Sequence, residues 1–332
     1  MPKRGLISGL VVLGVSVAAV SVLSVGIGSR FIPPADVIGA LITPGTGFAD
    51  NVVWELRIPR TAAGLLVGAA LGLAGAVMQG LTRNPIADPG ILGVHAGAAF
   101  GVVAAVYGFG LTHFHAYVLF AFAGAALVSG AVWLIGSRGR DGAGPVRLAL
   151  AGAAVSAFVG SATSLVLFAD STAFDEFRFW SVGSLAAVKG GLLPAVAPFL
   201  LAGALLAFGL TRGLNMLAMG GDLARSLGQR VGLVRAGAAL AVVLLSGTAV
   251  AAVGPIGFIG LTVPHVARAL AGPDYRWVLP YSALLGPLVL LAADLAGRVV
   301  AIPSEVQAGA ITAAIGAPIF IWFVRRRAVH AL

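Results

Sequence analysis

The sequence predicts an all-α membrane protein: a single domain over residues 1–332 with ten transmembrane helices, both termini cytoplasmic, and short helices beneath the bundle. Three observations predict it. The chain is 59% hydrophobic and only 10% charged, with a mean hydropathy of +1.02, whereas soluble domains carry about a quarter charged residues. Apolar runs of about 20 residues recur, the length that crosses about 30 Å of hydrocarbon. Arginines and lysines collect in every second loop, which sets orientation in a bilayer.

The runs lie near residues 6–28, 58–80, 91–110, 115–136, 147–169, 191–211, 235–253, 256–271, 277–297 and 308–324. The first follows Lys3 and Arg4 but is long for a signal-peptide core and lacks an A-x-A-like end, so it reads as an uncleaved helix. A turn at Leu111–Phe114 separates the third and fourth runs. Gly254-Pro255, which cannot continue a helix, separates the seventh and eighth. One set of loops holds 15 of the 21 basic residues and the other set six. The richer side is cytoplasmic, and an even number of crossings returns both termini to it. The net charge of +9 is therefore a topology signal and points to no nucleic acid.

In the second run Gly64, Gly68, Gly72, Ala76 and Gly80 recur every four residues. Gly93, Gly97 and Gly101 do the same in the third. Such small-residue ridges let helices touch backbone to backbone, here within the bundle. The middle of each run is almost free of charge, and Asp294 sits near an outer end. A proton- or sodium-coupled secondary transporter, the alternative from another class, places ionisable groups at mid-membrane. No phosphate-binding G-x-x-x-x-G-K-[ST] loop occurs, nor H-E-x-x-H or G-x-S-x-G. With no cysteine, thiolate sites are excluded. His113 and His115 read as turn residues and His265 as a packing residue, so no metal and no cofactor is expected. If ATP drives the chain, another protein hydrolyses it.

Two polar regions remain. The longest cytoplasmic stretch, Arg212–Arg235, reads as two short amphipathic helices joined by Gly220-Gly221. The second, Asp222–Leu227, has Asp222 as N-cap and Gly228 as C-cap. It fits a docking surface or an interfacial helix pair equally well. On the outer side Arg57 and Arg60 share one helix face. With Arg298 they could receive a partner's carboxylates, or pair internally with Glu55 and Glu305, which the residues alone favour.

The segment RIPRTAAGLLVGAALGLAGAVMQGLTRNPIADPGILGV (57–94) closely resembles the FecCD-type permeases, membrane subunits of ABC importers for iron–siderophores, haem and cobalamin. LAMGGDLARSLG (217–228), GPIGFIGLTVPHVAR (254–268) and GAITAAIGAPIFIW (309–322) agree, in order. The resemblance implies ten spans in the bacterial cytoplasmic (inner) membrane, a second permease subunit (the same or a paralogue), two cytoplasmic ABC ATPase subunits and an extracytoplasmic substrate-binding protein, with an iron chelate as cargo. It implies that Leu217, Gly221, Ala224, Arg225, Ser226, Leu227 and Gly228 couple to the ATPase. It further implies that Arg57, Arg60 and Arg298 dock the binding protein and that Asn84, Pro85 and Ile86 line an inner gate. Pro145 and Val146 stand where a relative has a hydroxyl-bearing second gate segment, which puts a hydroxyl-lined gate in doubt here. Gln307 replaces a proline common in relatives, a form similar to the siderophore permeases; a ferric siderophore is therefore the expected cargo, with haem or cobalamin as alternatives.

Overall fold

The computed structural model describes residues 3–138, 144–188 and 191–329, with backbone only at 3, 114, 115 and 322–329. Arg140, Asp141 and Lys189, used in the charge count, lie outside the described residues, as do the side chains of His115 and Arg325–Arg327. Among the described residues there are helices and connecting loops and no strands.

The order is α1 (Lys3–Gly26), α2 (Pro34–Ile42), α3 (Phe48–Asn51), a π-helical turn (Val52–Arg57) running into α4 (Ile58–Thr82), a 3-10 turn (Pro89–Leu92), α5 (Val94–Phe109), α6 (Phe114–Ser137), α7 (Pro145–Ala169), α8 (Ser171–Trp180), α9 (Leu192–Gly209), α10 (Thr211–Ala218), α11 (Gly221–Ser226), α12 (Val231–Val242), a second π turn (Val243–Gly247), α13 (Thr248–Val253), α14 (Ile259–Ala271), α15 (Tyr275–Val300) and α16 (Ala308–Val329). Each of the ten apolar runs coincides with helix. Seven helices among the described residues are long and apolar enough to cross a membrane, while α5, α14 and the described part of α16 are shorter. The short helices α2 and α8 had no counterpart among the runs. Each opens with a strong local start: Pro33-Pro34 at the first, and Asp170, whose carboxylate accepts from the Ala173 N–H, at the second.

The core is an axis of two long helices, α4 and α15, with α14, α12 and α9 around α4. The glycine ridge explains the intimacy of the axis. A Cβ on Gly68 would lie 2.6 Å from the Pro287 backbone, and one on Gly72 would overlap the Ser282 carbonyl. Gly64 faces Leu291 and Gly80 faces the Tyr275 ring, so the ridge packs inside the bundle. The α5–α6 pair repeats the device: Gly97 lies on the Gly124 carbonyl and Gly101 on that of Phe120. Close backbones replace the missing hydrophobic drive between helices in lipid with dispersion contact.

At its edge, α1 is nearly all exposed: only 6% of its span is buried. Side chains of other helices hold it at both ends. The Tyr281 hydroxyl donates to the Leu6 carbonyl at 2.9 Å, and Arg298 donates to the carbonyls of Ser24 and Ile27 at 2.7 and 2.9 Å.

Candidate functional site

Three polar assemblies interrupt the apolar bundle. At the end of α4 and α15 shared with the α2 connection, Arg57, Arg60, Arg298, Asp294 and Glu305 converge. Arg60 donates through Nε and Nη2 to Asp294, at 3.0 and 2.8 Å, and through Nη1 to Glu305 at 2.6 Å. Arg298 donates to the same Asp294 from one turn along α15, at 3.0 Å. Arg57 spends its guanidinium on the carbonyls of Val25, Gly26 and Arg30 at 2.7–2.9 Å. The Ser29 hydroxyl donates to Glu305 at 2.6 Å.

Burial pushes the Glu305 carboxyl up. The hydrogen bonds from Ser29 and Arg60, with the charges of Arg60 and Arg298, outweigh that and hold it below its ordinary value. Desolvating three guanidiniums is affordable only with such partners.

Two of the three arginines expected to meet a binding protein are thus turned inward. Arg57 and Arg298 are 5% and 1% exposed, and with Arg60 and Glu305 they line a 240 Å³ cavity. The internal pairing weighed from the residues is present with Glu305, while Glu55 is exposed.

At the opposite end of α4 lies the coupling candidate. The buried Leu217 and Ala224 pack with Val231 and Met216, fixing α10 and α11 to the base of α12. Met219, Leu223 and Leu227 remain exposed, next to an exposed Arg225–Asp222 pair at 2.6 Å. Gly220 (φ 118°) and Gly228 (φ 83°) bracket α11 in conformations that penalise any Cβ. The helix begins at Gly221, one residue before expectation, and Asp222 sits inside its first turn rather than capping it. The result is an apolar face rimmed by charge, on a helix pinned from behind, the form that protein-docking surfaces take.

The third assembly is the loop after α4. Arg83 ends α4 in the left-handed region (φ 51°). The Asn84 side chain then accepts from the Ile86 N–H at 3.1 Å, and Asp88 caps the 3-10 turn by accepting from Gly90 at 2.8 Å. Pro85 and Ile86 are exposed while Ala87 is buried. The loop then turns back into the protein, where Pro89 and Asp88 lie against Gly260 of α14. Pro145 opens α7 with Val146 exposed beside it. It is Gly152, further along α7, that rests on the Ile91 carbonyl.

Residues 16–326 match the model of the FecCD transport family. The chain belongs to the FecCD transport family. FecCD relatives include the ferric enterobactin transport system permease protein FepD of Escherichia coli (strain K12), 44% identical over 322 residues, covering 97% of this chain and 95% of FepD. YfiZ of Bacillus subtilis (strain 168), named as a siderophore transport system permease protein, is 43% identical, covering 83% of each chain. A solved inward-facing structure of a metal-chelate type ABC transporter superposes with a TM-score of 0.82 at 29% identity, covering 98% of this chain and 100% of that one.

Sequence reading missed one set of residues in this FecCD chain. Gln79, in α4, is 3% exposed and bonds to α14, and Asn215, Asp274 and Tyr275 tie α10 to the start of α15. A lone amide inside a 25-residue apolar helix was the available signal, since buried polar groups in a span are costly without partners.

Proposed function

We propose that this chain is the membrane-spanning permease of a bacterial ABC importer and carries a ferric siderophore across the cytoplasmic membrane. The observation that carries the reading is the near full-length match to FecCD permeases, with FepD and YfiZ as siderophore-system relatives. The α5, α14 and α16 helices complete ten crossings, with both termini on the arginine-rich side. Two cytoplasmic ATPases supply the energy by seating against Met219, Leu223, Leu227 and Arg225. A second permease copy or paralogue closes the pathway, and the loop at Asn84–Ile86 gates its inner mouth. The extracytoplasmic binding protein docks at the opposite face, where an incoming carboxylate reaches Arg60 beside Glu305; Arg57 and Arg298 shape that site from behind.

The chemistry is physical, since no bond in the cargo changes. Weak apolar contact in the path lets cargo leave as readily as it enters. Reconstituting the chain with its partner ATPase and binding protein tests this: ferric catecholate or hydroxamate chelates should stimulate ATP hydrolysis and enter the vesicles. Uphill uptake by the chain alone, with no nucleotidase present, would refute it.

A further inference from the structure

Resting on that coupling assignment, we propose that Gln79 is a positioning residue that links the ATPase-facing helices to the inner loop by bracing a proline-broken turn of α14. Pro264 lies inside α14 and has no N–H, so the carbonyl four residues earlier, on Gly260, loses its helical donor. The Gln79 amide comes from α4 to fill the gap. Its Nε2 donates to the Leu261 carbonyl at 3.1 Å and lies 3.5 Å from that of Gly260. Its Oε1 accepts from Arg268, two turns along the same helix. Gln79 therefore clamps α14 on both sides of its proline.

Each end of the clamp leads somewhere. The N-terminal turn of α14 abuts Pro89 and Asp88: a Cβ on Gly260 would lie 2.9 Å from Pro89. Arg268 is hydrogen-bonded to the Tyr275 hydroxyl at the start of α15. The Tyr275 N–H donates to the Asn215 side chain at 2.9 Å, and Asn215 donates to Asp274 at 2.6 Å. Asn215 belongs to α10, on the docking surface. A displacement of α10 thus reaches α14 through hydrogen bonds and the 83–90 loop through the packing of Gly260 on Pro89, by way of the proline-broken turn that Gln79 braces. Gly80 leaves the space that the Tyr275 ring fills.

The absence of cysteine permits a clean test on the assembled importer in nanodiscs. Ile86→Cys serves as the reporter in every variant, and its maleimide labelling rate is measured with and without ATP plus vanadate. With Gln79 present the nucleotide should change the rate. In Gln79→Leu that change should shrink about tenfold while ATP hydrolysis continues. Tyr275→Phe, which removes only a hydroxyl, should shrink it too and serves if Gln79→Leu does not assemble. A full nucleotide response in both variants, or no response in the parent, overturns the proposal. Gly228→Val separates the two readings: if it silences the reporter and the relay variants do not, only the relay fails; if it leaves the reporter unchanged, the coupling assignment fails.

Discussion

Asp294 receives Arg60 and Arg298 at once and is wholly buried. Asp294→Asn keeps the shape and removes the charge, leaving Arg298 without a carboxylate and Arg60 with Glu305 alone. Loss of one partner of a buried ion pair costs about 3–5 kcal/mol, so the variant should show a sharply lower Tm in detergent, or little folded protein. Glu305 supplies the pH dependence. Its carboxyl is held below the ordinary value, so the stabilisation is complete above the unfolded-state pKa and is lost as pH falls through the folded-state value. Acidification through and below the usual carboxylate range should lower Tm, and Glu305→Gln should remove that part of the slope. An unchanged slope would assign the acid sensitivity elsewhere. The five charges were visible in the sequence, and Glu305 was named there as a partner. Their convergence was not, because Arg60 and Asp294 are 234 positions apart and no local periodicity encodes that distance.

Helices follow local rules more closely. Apolar runs of span length sufficed to place ten of them, since each buries or exposes a face of its own. The extent of α5 and α14 was overstated at their first ends, where Ile91–Gly93 and Ile256–Phe258 are not α-helical; hydropathy cannot distinguish them from helix. The glycine ridge pointed to close packing without naming the partner, which is α15. Gly68→Val would drive methyl groups into the Pro287 backbone, which cannot rotate away. Overpacking of this kind costs about 1–3 kcal/mol or more, and a falling Tm with monodisperse insertion would report it. On α11, Gly228→Val forces a β-branched residue to φ 83° and should distort the docking surface. ATP hydrolysis by the assembled importer should then persist without cargo uptake; normal uptake would remove α11 from the coupling role.

For the molecule as a whole, orientation is the testable statement. The chain has no cysteine, so Gly45→Cys should react with an impermeant maleimide in intact cells and Ser226→Cys only in inverted membrane vesicles. Labelling of both from one side would break the proposed topology. The two polar ends and the buried Gln79 brace then form one vertical system along α4, with the apolar bundle as its rigid sleeve. The helix that stands outside this sleeve has a different bearing, on the timing of assembly. Two clasps on α1, from Tyr281 and Arg298, come from α15, whose residues are translated some 270 positions later, while the Arg57 clasp on Val25 and Gly26 follows after only some 30. At about 5–20 residues per second, the first helix waits roughly 15–55 s in the bilayer before Tyr281 and Arg298 exist to capture it. In that interval Arg57 alone holds the Gly26 end and the Leu6 end rests on its own apolar surface, so closure of the bundle around the start of α1 is among the last steps of biogenesis.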